Sequence, residues 1–133
     1  MANIKTNKRF SKQRQAILDY LSTSDSHPTA ETIYTDLKAE IPNLSLGTVY
    51  RNLALLHNEK VIEKVDIHNA EARYDADTNL HYHCICERCG SVIDLYPQNI
   101  DVITPLLESI PRFKANNHSI NIYGLCGVCD NKP

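Results

Sequence analysis

No apolar run in this 133-residue chain approaches the ~20 residues needed to span a bilayer, and the opening residues, with Lys5, Lys8 and Arg9 among them, lack the apolar core of a signal peptide. The expected compartment is therefore the cytosol, with no membrane partner. Net positive charge is missing too: 14 Lys and Arg stand against 16 Asp and Glu, a formal net charge of −2. That excludes a generally basic coat for nucleic acid. Apolar bulk is scarce in the last third. Fewer than sixty residues with so small a core are marginal alone, so a metal staple and dimerisation are both expected there.

What is present is unevenly placed. Lys5, Lys8, Arg9, Lys12 and Arg14 fall within the first fifteen residues with no acid among them. Residues 1–74 carry ten basic against nine acidic groups, and residues 75–133 four against seven. Taken by itself, the basic stretch reads as a solvated tail. Four of the five cysteines form two CxxC pairs, Cys86/Cys89 and Cys126/Cys129. In reducing cytosol such pairs are more often metal ligands or redox catalysts than disulfides. Two thiolate pairs can close a tetrahedral zinc site, which is the reading adopted, with a CxxC thiol redox protein as an alternative. Thirty-six residues separate the pairs, more than the ~15–20 of a compact zinc ribbon, so a further element, a helix by preference, must fit between them. His81 and His83 stand just before the first pair. Imidazoles on a strand edge, joined by carboxylates, suit a divalent ion of open coordination, so two unlike metals are expected in one chain.

Ahead of the cysteines the pattern is helical. From Ser11 to near Ser24, Ile17, Leu18 and Leu21 form one stripe, with Lys12, Gln13, Arg14 and Asp19 off it. A second helix is predicted after the cap Pro28-Thr29, with Ile33 and Leu37 inward, stopped at Ile41-Pro42; a third starts at Ser45, with Val49, Leu53 and Leu56 inward. Residues 61–67 and 71–75 read as strands joined around His68-Asn69-Ala70. Three helices and a hairpin predict a winged helix-turn-helix over residues 1–75. Its third helix would offer Thr48, Tyr50, Arg51 and Asn52 to base edges and phosphates, with Lys8 and Lys12 as phosphate contacts. An ordinary surface helix is the bland alternative. Residues 76–133 predict a small α/β unit: strands at 81–86, 91–95 and 118–123, and a helix over 101–110. The fold class is α+β.

SerLeuGlyThrValTyrArgAsnLeu (45–53), HisTyrHisCysIleCysGluArgCysGly (81–90) and TyrGlyLeuCysGlyValCys (123–129), in this order and spacing, resemble the signatures of the Fur family of metal-dependent bacterial repressors. The resemblance covers nearly the whole chain. It implies a homodimer of winged-helix and dimerisation domains on a palindromic DNA operator, with structural Zn2+ on Cys86, Cys89, Cys126 and Cys129 and a regulatory Fe2+ or Mn2+ between the domains. By the same resemblance the regulatory ligands are His27, Asp75, His81, His83 and Asp94. Aspartate at both carboxylate positions is similar to the PerR peroxide sensors, whereas iron-sensing Fur members usually carry glutamate. The resemblance then implies oxidation of His27 or His81 by H2O2 at bound iron, with loss of metal and DNA, which is damage sensing without turnover and not enzyme catalysis. A Fur-type iron or manganese corepressor without peroxide chemistry is the alternative. Leu80 and Tyr82 stand where many Fur proteins have ligands of an additional site, which implies its absence and a structural role for His118. Cys84 is expected as a small buried residue, and His57 and His68 as solvated.

Overall fold

The computed structural model describes residues 4–97 and 103–131, with side chains from Lys12 onward in the first helix. Two compact units divide between Thr78 and Asn79, three residues beyond the boundary expected at 75/76.

In the first unit, α1 (Ile4–Ser22) begins well before Ser11, so the basic residues Lys5, Lys8 and Arg9 lie on a helix and not on a tail. No proline or glycine interrupts residues 4–22, and lysine and arginine are good helix formers. Ile17 and Leu21 are buried as predicted, but so is Gln13, one turn ahead of Ile17, where a solvent-facing position was expected. α2 (Ala30–Lys38) is capped by Thr29, whose hydroxyl accepts from the Thr32 N–H at 3.2 Å. α3 (Leu46–Asn58) is capped in the same way by Ser45, which accepts from the Thr48 N–H at 3.1 Å. Each such cap satisfies a backbone donor that the helix cannot. Ile17, Ile33, Val49, Leu53 and Ile62 are fully buried where these helices meet, each stabilising the unit by about 1.5–3 kcal/mol.

β1 (Glu63–Val65) and β2 (Arg73–Asp75) pair antiparallel, Glu63 opposite Asp75, and are shorter than the predicted strands. Their turn is closed by Ala70 N–H to Ile67 O, with Asn69 at φ 59°, a left-handed conformation that asparagine tolerates. Three helices and a two-stranded wing follow in the predicted order.

The second unit holds a three-stranded sheet in the order β4-β3-β5, from β3 (Tyr82–Cys86), β4 (Val92–Leu95) and β5 (Asn121–Gly124). β3 and β4 form a hairpin turned at Gly90, whose φ of 76° suits glycine. β5 runs parallel to β3, which requires a long crossover, and α4 (Ile103–Glu108) lies in it. The start of the helix predicted from Asp101 falls outside the described residues. A last turn, α5 (Gly127–Asp130), was not anticipated. Burial here is sparse: Tyr82, Ile85, Cys86 and Cys129 are covered, while Leu106, Phe113 and Val128 are 63%, 64% and 69% exposed. Among the described residues no helix is long and apolar enough to cross a membrane.

Candidate metal centres and the candidate DNA helix

The thiol cluster is assembled by two turns of the second unit. Cys86 ends β3, and Cys89 sits in the turn that Gly90 N–H closes on Cys86 O at 2.9 Å. Cys126 is the N-cap residue of α5 and Cys129 lies within that helix. The four sulfurs lie within 4.8 Å of one another, with Cys89 and Cys126 3.8 Å apart. Four ligands held ~2.3 Å from one tetrahedral ion sit roughly 3.8 Å apart, so the donor set and its spacing fit zinc. Two independent redox dithiols would not converge in this way. Arg88 Nη1 donates to Cys129 O at 3.3 Å, tying the two turns together. Backbone N–H groups, that of Cys126 first, lower the Cys86 thiol pKa. Burial, followed by contact with the other three sulfurs, raises that of Cys129. The surroundings thus favour the thiolate at Cys86 and disfavour it at Cys129.

Five further predicted ligands form two groups, one in each unit. In the first unit, His27 Nε2 lies 3.1 Å from Asp75 Oδ2, and both side chains are largely buried. His27 holds a left-handed backbone, φ 51°, unusual for a residue other than glycine. That bend is secured from β2: Arg73 Nη1 donates to His27 O at 3.1 Å, and Tyr74 N–H to Pro28 O at 3.0 Å. Arg73 was not singled out from sequence, where it showed only as an arginine two residues before a candidate ligand. Asp75 Oδ1 accepts from Asp77 N–H at 2.9 Å, which fixes the carboxylate.

In the second unit, His83 and Asp94 stand directly opposite on β3 and β4. Asp94 Oδ1 is 3.4 Å from His81 Nε2 and 3.7 Å from His83 Nε2. Ligands at right angles around one ion with 2.0–2.2 Å bonds lie ~3 Å apart, so both groups have ligand spacing. His81 Nδ1 is 2.7 Å from Asn79 O. A carbonyl can only accept, so Nδ1 carries the hydrogen and Nε2 presents its lone pair beside Asp94. Tyr96 stacks on the His81 ring, with centroids 5.1 Å apart and planes at 30°. Sequence reasoning passed over it; an aromatic two residues after a ligand was the available signal.

The other candidates part ways. On α3, Tyr50 and Arg51 are exposed, as is Lys12 on α1. Thr48 and Asn52 are buried, against the outward placement expected of them. Asn52 Nδ2 donates to Thr48 O at 3.0 Å, and Thr48 Oγ1 accepts from Arg51 Nη2 at 3.0 Å. Both side chains therefore brace the helix and aim its arginine. The side chain of Lys8 lies outside the described residues. Tyr82 is buried and lies 3.3 Å from His118 Nε2 through its hydroxyl, and Leu80 is exposed. Cys84 is partly buried, more open than expected, and His57 and His68 are exposed.

The model of the Ferric uptake regulator family matches residues 5–123. This chain belongs to that family. It is 39% identical over 127 residues to the "Peroxide operon regulator" of Bacillus subtilis (strain 168), covering 96% of this chain and 88% of that one. Against the "Peroxide-responsive repressor PerR" of Staphylococcus aureus (strain USA300) it is 39% identical over 125 residues, 93% of this chain and 84% of the other. Among solved structures, the Campylobacter jejuni peroxide stress regulator superposes with a TM-score of 0.79 at 26% identity, covering 95% of this chain and 97% of that one. The Helicobacter pylori ferric uptake regulator, described with three functional metal binding sites, gives a TM-score of 0.78 at 26% identity, covering 91% and 81%. Family membership makes this chain a metal-dependent transcriptional regulator and not an enzyme. Regulators of this family bind DNA and act as dimers.

Proposed function

We propose that this chain is a cytoplasmic, homodimeric repressor of palindromic operators that responds to hydrogen peroxide. Structural Zn2+ sits on Cys86, Cys89, Cys126 and Cys129, and a regulatory Fe2+ or Mn2+ on His27, Asp75, His81, His83 and Asp94. The observation that carries the reading is the pair of donor groups, His27 with Asp75 and His81 and His83 with Asp94, imidazoles and aspartates without a thiolate, in a chain whose relatives are named as peroxide regulators. Hard oxygen and imidazole donors suit Fe2+ or Mn2+, although Zn2+, Ni2+ and Cu2+ compete in vitro by the Irving–Williams order.

His27 and Asp75 belong to the first unit and the other three ligands to the second, so one shared ion removes relative freedom between them. Binding then favours the dimer in which both α3 helices meet successive major grooves. The exposed Leu106, Phe113 and Val128 support burial of the second unit against a second copy. Arg51 and Tyr50 face bases, and Lys12, with Lys8 four residues before it in sequence, serves phosphates.

Bound Fe2+ supplies the redox chemistry that turns H2O2 into an oxidant beside its ligands. The net step on the chain is that the imidazole Cε1–H of His27 or His81 becomes a carbonyl, one oxygen of H2O2 entering the ring and the other leaving as water. The oxidised ring is a poorer donor, the ion is released, and DNA affinity falls. The test is equimolar H2O2 on the iron-loaded and manganese-loaded dimers, with tandem mass spectrometry and operator binding in parallel. One oxygen on His27 or His81 and loss of DNA binding in the iron form alone is the expected result. Oxygen on cysteines only, or no difference between the metals, leaves a corepressor without peroxide chemistry.

A further inference from the structure

The first turn of α3 carries a residue that helix formation alone does not favour. Gly47 is the second residue of that helix and is exposed. Glycine is a poor helix former, and alanine adopts the same helical backbone at less cost. The position has little room for a side chain, however: a Cβ on Gly47 would stand 3.3 Å from Arg51 Nη1. Helical side chains lean toward the N-terminus, so Arg51, four residues on, lies back over the turn that Gly47 leaves bare. The same guanidinium donates through Nη2 to the Thr48 hydroxyl at 3.0 Å, and that hydroxyl is 2.8 Å from Ser45 Oγ. One planar group thus has one nitrogen on Thr48 and the other over Gly47. The helix dipole does not favour the seat, because the N-terminal end of α3 is partly positive. Fit and a hydrogen bond hold the arginine there, and not charge.

We infer that Gly47 is a positioning residue for operator recognition: by lacking a Cβ it gives the Arg51 guanidinium a seat on the first turn of α3, from which it meets a base already oriented. The inference rests on the reading of Arg51 as a base contact for its consequence and on the geometry of the free helix for its cause. A methyl at residue 47 would push Nη1 away by a few tenths of an ångström, and the rigid guanidinium plane would carry Nη2 off the Thr48 hydroxyl with it. The charge of Arg51 is the same wherever it points. Attraction to phosphates is therefore kept, and what depends on the seat is the reading of base edges.

Gly47→Ala is the test, because its expected effects on stability and on recognition differ in direction. Alanine should keep or raise the urea midpoint. On the manganese-loaded dimer, operator affinity should fall severalfold while affinity for a scrambled duplex is unchanged, and an unaltered operator-to-scrambled ratio would overturn the role. A direct clash of the new methyl with DNA is separated by the double variant. Added to Arg51→Ala, Gly47→Ala should cost nothing further, and a full further loss would overturn the inference. In the zinc-containing protein without DNA or regulatory metal, nitrogen-15 NMR reads rotation about the Arg51 Nε–Cζ bond, which exchanges Nη1 and Nη2. Rotation should be severalfold faster in Gly47→Ala than in the natural protein, as in Thr48→Val, which removes the acceptor. Equal rotation in Gly47→Ala and the natural protein would overturn the seat. If Arg51→Ala leaves operator affinity untouched, the reading of α3 fails and the recognition role with it, while the rotation rates still decide the seat.

Discussion

Arg51 is the side chain of α3 to which the proposed function gives a base contact. Its guanidinium is exposed, yet Nη2 is anchored on the Thr48 hydroxyl, which is itself 2.8 Å from the cap Ser45. A pre-placed arginine loses less freedom on contacting a base. Arg51→Ala should weaken specific operator binding by about 1–3 kcal/mol, the range for a good bidentate base contact, while Lys12→Ala should lower affinity for all sequences alike and reduce the salt slope. Fluorescence anisotropy on operator and scrambled duplexes at several salt concentrations separates the two. Thr48→Val should lower specificity by loosening Arg51, without Thr48 touching DNA. Helical spacing made Val49, Leu53 and Leu56 legible as the inward stripe. It could not reveal that Thr48 and Asn52 are buried as well: their hydrogen-bond partners lie within α3 and its cap, so both can go inside satisfied, but how wide a face of α3 the neighbouring elements cover is known only once the helices are packed. Gln13 misled for a related reason: amide polarity put it off the stripe, while its place one turn before Ile17 puts it inside. The two clusters of proposed ligands were legible as candidates because Cys, His and Asp carry their chemistry in their identity. Arg73 and Tyr96 act only through neighbours, His27 and His81, that are distant in sequence.

At the scale of elements, the caps and the zinc turns carry most of the local order. Ser45→Ala removes the acceptor for the Thr48 N–H at the start of α3 and should cost about 1 kcal/mol, read as a lower urea midpoint with an unchanged slope. Ser45 also touches the Thr48 hydroxyl, so operator specificity should fall along with stability. The helices were legible because capping residues and apolar spacing are local signals. The parallel pairing of β5 with β3 was not, since nothing within residues 118–123 records which strand it will meet thirty-odd residues away. Cys86→Ser is the corresponding test of the staple. It should release zinc and unfold the second unit, with the helical signal of α1, α2 and α3 largely kept, because the buried cluster of the first unit contains no residue beyond Tyr74. Chromogenic zinc release with far-ultraviolet circular dichroism checks this, and full zinc occupancy at unchanged thermal stability would sink the assignment.

At the scale of the whole molecule, two kinds of metal do different things, and pH should separate them. Each cysteine ligand must lose its proton to bind zinc, so acid competes with the ion at all four sulfurs. The Cys86 thiol is held below its ordinary range by backbone donors, so its thiolate persists below the pH at which an unfolded thiol protonates, and the stability this confers is full above the unfolded thiol value and is lost as pH falls from there through the lowered one. The raised Cys129 behaves in the opposite sense without metal: the fold favours its protonated form, an advantage lost as pH rises above the unfolded thiol value of about 8.5. Without zinc, the second unit should therefore gain stability as pH rises toward the ordinary thiol range, where the lowered Cys86 comes to count in full, and lose it above that range, where Cys129 resists ionisation, whereas the zinc-loaded form should weaken on acidification. Thermal melts of both forms between pH 5 and 10 test this, and a metal-free form that gains stability above the ordinary thiol range would refute the role given to Cys129. The regulatory ion should leave a different trace. Its removal by a mild chelator should lower operator affinity while zinc remains and the melting of each unit is little changed, because His27, Asp75 and His81 are already held by Arg73, Asp77 and Asn79 without it. A chelator that strips operator binding only together with zinc would show that the second ion does not act separately, and the switch would then have to reside in the thiol cluster.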